Sequence, residues 1–134
     1  WNRNTVIIMA LFGLFKSKPD RPARITARDQ RIVSQREQWR DQAEEKLEDS
    51  ERSFSKIVDH AGSGELMAAK FEADNAGFGE AARQFEHMIK FGTKSDREQT
   101  NRIALAGAQC RHNIEQQQKH INGLTRTIDG IRNK

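Results

Sequence analysis

The sequence predicts an all-α protein: an elongated antiparallel helical hairpin or coiled-coil bundle. It has two long helices, about 27–60 and 96–131, and a broken shorter helical segment, about 65–91, between them. Three observations carry this. Apolar residues recur at spacings of three, four and seven over most of the chain, no alternating strand pattern competes, and both prolines lie before residue 23. Only 35% of the 134 residues are apolar and 31% are charged, against usual values of ~45–50% and ~25%. So lean a chain cannot wrap a thick core around itself, and its helices must bury narrow stripes against one another.

The chain opens with an arm, residues 1–24, set apart from a helical domain, residues 25–134. Val6 to Phe15 is apolar, but ten residues are too few for the ~20 that a bilayer crossing needs. A secretory signal is disfavoured because Lys16 and Lys18 follow at once and no small-x-small site is visible. Met9 is the first internal methionine. Read from there, Leu11, Phe12, Leu14 and Phe15 form an apolar tip backed by Lys16, Lys18, Arg21 and Arg24. Such a segment suits insertion among lipid headgroups with its cations on anionic lipid, or packing on a partner subunit. Pro19 and Pro22 break any helix between tip and domain.

Thr26 with Asp29 reads as a capping box opening the first long helix, with Ile25 as the staple. Behind it Ile32, Trp39, Ala43, Leu47, Phe54, Ile57 or Val58, and Ala61 form the predicted stripe, with Arg36 and Ser50 in its gaps. Tryptophan on that stripe is expected to be buried. The pattern stops at Gly62-Ser63-Gly64. In the next segment Gly77 and Gly79 bracket Phe78, which predicts two short helices or one kinked helix ending at Gly92. Gly77-Phe78-Gly79 is no phosphate loop, since no strand precedes it and no Lys-Ser/Thr follows.

Ser95 with Glu98 gives a second capping box. From there Ile103, Gly107, Cys110, Ile114, Gln117, Ile121, Leu124, Ile128 and Ile131 step by four and three in strict alternation, a heptad repeat. Gly107 leaves room for close approach, and Gln117 is a polar interruption suited to fixing register.

Charge and chemistry narrow the function classes. The net charge of +4 and pI near 9.5 favour anionic partners without naming one. Lys16 to Arg40 carries eight basic and three acidic residues, whereas Asp41 to Glu51 carries six acidic residues and only Lys46. These blocks suit staggered contacts between copies. The lone Cys110 excludes an internal disulfide and fits a reducing compartment or no redox role; with the apolar tip and its cations, the expected setting is cytoplasmic, peripheral on a membrane. His60, His87, His112 and His120 have no zinc-site spacing with Cys110, and no catalytic constellation appears, so neither metal nor cofactor nor enzymatic activity is expected. Arg28, Arg31, Arg36 and Arg40 with Trp39 are a weaker case for nucleic acid, without any recognisable reading motif.

Leu11-Phe12-Gly13, the basic spacer and Ile25-Thr26-Ala27-Arg28-Asp29-Gln30-Arg31-Ile32 resemble the beginning of ESCRT-III proteins, especially charged multivesicular body proteins of the Vps-twenty type. Gly92-Thr93-Lys94-Ser95 and Ile121 to Asp129 resemble the segment around that family's early second helix, and the patches together cover about a third of the chain. The resemblance implies a hairpin that polymerises on membranes. Leu11, Phe12, Leu14 and Phe15 would insert, and Lys16, Lys18, Arg21, Arg24, Arg28 and Arg31 would meet headgroups. The stretch Gly62 to Phe91 departs from the family's tight hairpin turn, and the sequence through Lys134 does not include its later helices and acidic tail. The sequence therefore favours a self-assembling, membrane-associated helical protein. The alternative is a structural subunit of a large protein or ribonucleoprotein assembly, with the arm packed on a partner.

Overall fold

The computed structural model describes residues 25–134, which form four helices and no strand. They are α1 (Ala27–Gly62), α2 (Leu66–Ala76), α3 (Gly79–Phe91) and α4 (Asp96–Arg132). The two long helices begin where the capping residues place them. Asp29 N–H donates to Thr26 Oγ1 at 3.0 Å while Thr26 N–H donates to Asp29 Oδ2 at 3.3 Å. At α4 the box is displaced by one residue: Glu98 N–H donates to Ser95 Oγ, but Glu98 Oε2 accepts from Lys94 N–H at 2.7 Å.

Glycines end the helices by adopting backbone conformations that other residues resist. Gly64 (φ +79°) closes α1: Glu65 N–H bonds the His60 carbonyl and Gly64 N–H that of Ala61, so orphan carbonyls are capped. Gly77 (φ +80°) closes α2 in the same way, with Phe78 N–H on the Ala73 carbonyl. That motif turns the Phe78 side chain inward, where it is almost wholly buried.

Polar contacts far apart in sequence give the register of the long pair. Asp29 meets Lys134, Glu37 meets Arg132, Arg40 meets Thr125 and Ser50 meets Gln117, so α1 and α4 run antiparallel along their whole length. α2 and α3 pack as a second antiparallel pair at one end only, α2 on α1 and α3 on α4. The result is a four-helix head on a two-helix stalk. The head core is Ile57, Ala61, Ala69, Ala73, Phe78, Ala81, Ala82, Phe85, Met88, Ala106 and Cys110. Six of these eleven are alanine, which lets four backbones approach closely around the two phenylalanine rings.

The α1 seam is a heptad in a different phase from the predicted stripe. The side chains turned toward α4 or the head are Asp29, Val33, Arg36, Arg40, Ala43, Leu47, Ser50, Phe54, Ile57 and Ala61, none of them fully exposed. The sequence-based stripe shares the Arg36 position and agrees with it from Ala43 onward, but departs from it at Ile32 and Trp39. Val33 is buried in place of Ile32, which is only half-buried, and Trp39 is 43% exposed rather than buried. The physical reason is that Arg36 and Arg40 occupy seam positions, half-buried along their stems, the Arg40 guanidinium reaching Thr125 of α4 and that of Arg36 turned onto Trp39. Under that cover Ile121, Leu124 and Ile128 are buried, and Ile131 is half-buried.

On α4, Cys110 is fully buried and Ile103 and Ile114 are half-buried. At the remaining turn Ala106, with no exposed surface, faces the core, whereas a Cβ on Gly107 would meet only the end of the Arg111 side chain. The close approach predicted at Gly107 is thus made at Ala106. The two polar gaps of the stripes find each other: Gln117 Nε2 donates to Ser50 Oγ at 3.0 Å across the seam.

Candidate interaction surface

Three features of the described residues bear on function, and each follows from where the head stops. The first is the free end of the stalk, where α1 begins and α4 ends. Residues 25–37 and 125–134 carry six basic and three acidic side chains. Arg28, Arg31 and Arg126 are exposed there, while Arg132 and Lys134 are engaged with Glu37 and Asp29. The Thr26 backbone N–H, and then Lys134, hold the Asp29 carboxyl below the usual carboxylate range. The same end receives the arm. The tip residues Leu11, Phe12, Leu14 and Phe15 and the cations Lys16, Lys18, Arg21 and Arg24 lie outside the described residues; of the predicted surface-binding set, Arg28 and Arg31 are within them.

The second feature is a cleft of about 350 Å³ where the α2–α3 turn ends against the rod, lined by Ala43, Lys46, Phe78, Asn113, Gln117 and His120 among others. Its lining holds one lysine, one histidine and several amides, with no carboxylate and no thiol or hydroxyl nucleophile. Gln117 Oε1 is shielded from solvent and has no hydrogen-bond partner. No cluster of three or more potential metal ligands occurs among the described residues.

The third feature is an uncovered strip of the stalk, which sequence reasoning missed. The α2–α3 turn sits over the face of α1 that displays Ala43 and Lys46. Trp39 is one turn before Ala43, and Ile32 is two turns before Trp39, so both continue that face beyond the head. Among the described residues nothing replaces α2 and α3 there. One face of the indole carries the Arg36 guanidinium, 4.5 Å from the ring centroid. The antiparallel register puts Thr127, exposed, opposite Trp39 on α4. The signal available in the sequence was the second apolar row itself: two rows on one helix mean that one of them is not the seam.

Cys110 is chemically quiet. Burial pushes its thiol up to about 11, with Arg111 opposing weakly. Apolar side chains are also exposed on the outer face of α2, at Met67 and Phe71, and at the end of α3, at Phe91. No helix among the described residues is long and apolar enough to cross a membrane. No family model matches the chain, and neither does any curated protein or solved structure.

Proposed function

We propose that this protein is a non-enzymatic, self-associating helical scaffold that engages anionic membrane surfaces through the free end of its stalk. The observation that carries the reading is the coincidence of charge and connectivity. The exposed cations Arg28, Arg31 and Arg126 stand at the end from which the apolar tip and its four basic spacer residues extend. Insertion of Leu11, Phe12, Leu14 and Phe15 supplies apolar burial, and each cation near a charged leaflet adds about 1 kcal/mol. The acidic band from Asp41 to Glu51 keeps the middle of the rod off the same surface and offers the basic end of a neighbouring copy a place to pack.

Flotation with phosphatidylserine-containing and neutral phosphatidylcholine vesicles, at low and high salt, tests this. The full chain floats with the anionic vesicles at low salt. Binding falls in Arg28→Glu/Arg31→Glu and in high salt, and removal of residues 1–18 abolishes it. No flotation on anionic vesicles, or flotation unchanged after that removal, refutes the proposal. The exposed Met67, Phe71 and Phe91 favour a second reading, a subunit of a larger protein assembly. That reading gains if the full chain ignores vesicles of both compositions.

A further inference from the structure

The uncovered strip of the stalk has an occupant close at hand. In the head, the groove between α1 and α4 is filled by α2 and α3; beyond Ala43 no other described helix covers the half-buried Ile32 and the 43% exposed Trp39, with Thr127 across from them. A 43% exposed indole on the same helix face as the half-buried Ile32, with Arg36 stacked on one side of its ring, marks a contact surface. The strip from Ile32 to Ala43 measures ~17 Å along the helix axis.

Twenty-four residues precede Ile25, and they join the rod at the end of this strip. Their apolar run Val6–Phe15 contains ten residues, ~15 Å if laid down as a helix, which matches the strip in length. The spacer of nine residues, Lys16–Arg24, reaches up to ~30 Å, more than the ~24 Å from the start of α1 to Ala43, the far end of the strip. Pro19 and Pro22 prevent the spacer from continuing as the N-terminal extension of α1, so the chain can reverse direction.

We infer that the apolar run Val6–Phe15 folds back into the stalk groove of its own chain and covers Ile32 and Trp39. Docked there, the run extends the four-helix packing of the head along the stalk and keeps its leucines and phenylalanines out of water. This deepens the membrane reading by giving the tip a resting place, but the docking itself is measured without lipid.

Trp1 and Trp39 are the two tryptophans, so Trp1→Phe leaves Trp39 as the sole reporter. Emission and acrylamide quenching of full-length Trp1→Phe are compared with Trp1→Phe/Leu11→Asp/Phe12→Asp, in the absence of vesicles and over a wide range of protein concentration. The arm variant is expected to emit at longer wavelength and to be quenched about twofold more strongly, consistent with a 43% exposed indole once uncovered. Trp1→Phe/Thr127→Lys, which obstructs the groove from an exposed α4 position, is expected to give the same change. Far-UV circular dichroism is expected to be unchanged in all three. Identical emission and quenching with and without the arm substitutions overturn the inference. Shielding of Trp39 that disappears on dilution overturns it too, because a second copy is then the cover. Flotation and Trp39 shielding fail independently: a shielded Trp39 in a chain that ignores vesicles removes the membrane reading and leaves the docking.

Discussion

The Ser50–Gln117 pair joins the two long helices at the edge of the head, and it makes an asymmetric mutational prediction. Ser50 is buried, its Oγ accepts from Gln117 Nε2 at 3.0 Å, and Gln117 Oε1 has no partner. Ser50→Ala strands the amide nitrogen beside an oxygen that is already stranded, which costs about 1–3 kcal/mol. The better helix propensity of alanine returns about 0.5 kcal/mol. Net destabilisation is therefore about 0.5–2.5 kcal/mol. Gln117→Leu gives up the same hydrogen bond, about 1 kcal/mol, but removes the unpartnered oxygen and places aliphatic carbon between Ile114 and Ile121 on the seam. The Ser50 hydroxyl, left alone, turns back to a carbonyl of its own helix. That substitution is expected to be neutral or stabilising by about 1 kcal/mol, and the double variant to behave like it. Urea unfolding followed at 222 nm, with equal denaturant slopes across the set, measures all three. Ser50→Ala within about 0.3 kcal/mol of the parent, together with Gln117→Leu destabilised by more than about 1.5 kcal/mol, would refute the reasoning. Gln117 would then stabilise the seam through something other than its bond to Ser50.

Further outcomes follow from the same coordinates. Phe85→Ala, in the centre of the head, is expected to lower stability by about 3–5 kcal/mol, while Phe71→Ala on the exposed face of α2 changes it by less than about 0.5 kcal/mol; urea unfolding separates the two. Asp29 and Glu98 are held below the usual carboxylate range, chiefly by the backbone N–H groups of Thr26 and Lys94. Their stabilisation is complete above the ordinary carboxylate pKa near ~4 and fades as pH falls through the lowered folded value. Asp29→Asn/Glu98→Gln therefore shows a flatter loss of melting temperature below that pH than the parent. Cys110, fully buried and with its thiol raised to about 11, is expected to resist iodoacetamide at pH 8 and to react readily in urea; mass spectrometry of the two samples decides it. Gly77→Ala, which forces a side chain into φ +80°, is expected to cost about 1 kcal/mol although a Cβ there meets no neighbouring atom.

The ends of the long helices were legible because Thr26, Asp29, Ser95 and Glu98 act through local geometry that needs no tertiary partner. The α4 seam was legible for a related reason: isoleucine or leucine sits at six of its nine predicted heptad positions. The phase of α1 was not. Arg36 and Arg40 fill seam positions with methylene stems that a residue-by-residue hydrophobic count treats as polar, while Ile32 and Trp39 make a row of the right spacing on the neighbouring face. The break at Gly77 was visible, but not that Phe78 would be drawn into the core by the turn it closes. The basic stalk end was legible as composition. Its coincidence with the carboxyl end of α4 required the antiparallel register, which rests on contacts between residues as many as 105 positions apart.

That sequence separation has a kinetic consequence. The head joins neighbours in the chain through two tight turns, whereas each contact of the outer stalk closes a loop that contains the entire head. Loop-closure entropy places such contacts late in assembly and early in unravelling. Opening from the Asp29–Lys134 end would therefore unzip the outer stalk while Phe78, Phe85 and their alanine neighbours stay assembled. Amide exchange would then grade along α1 and α4, fastest beside Ile25 and slowest beside Ile57, making the stalk a hinged latch on a rigid body.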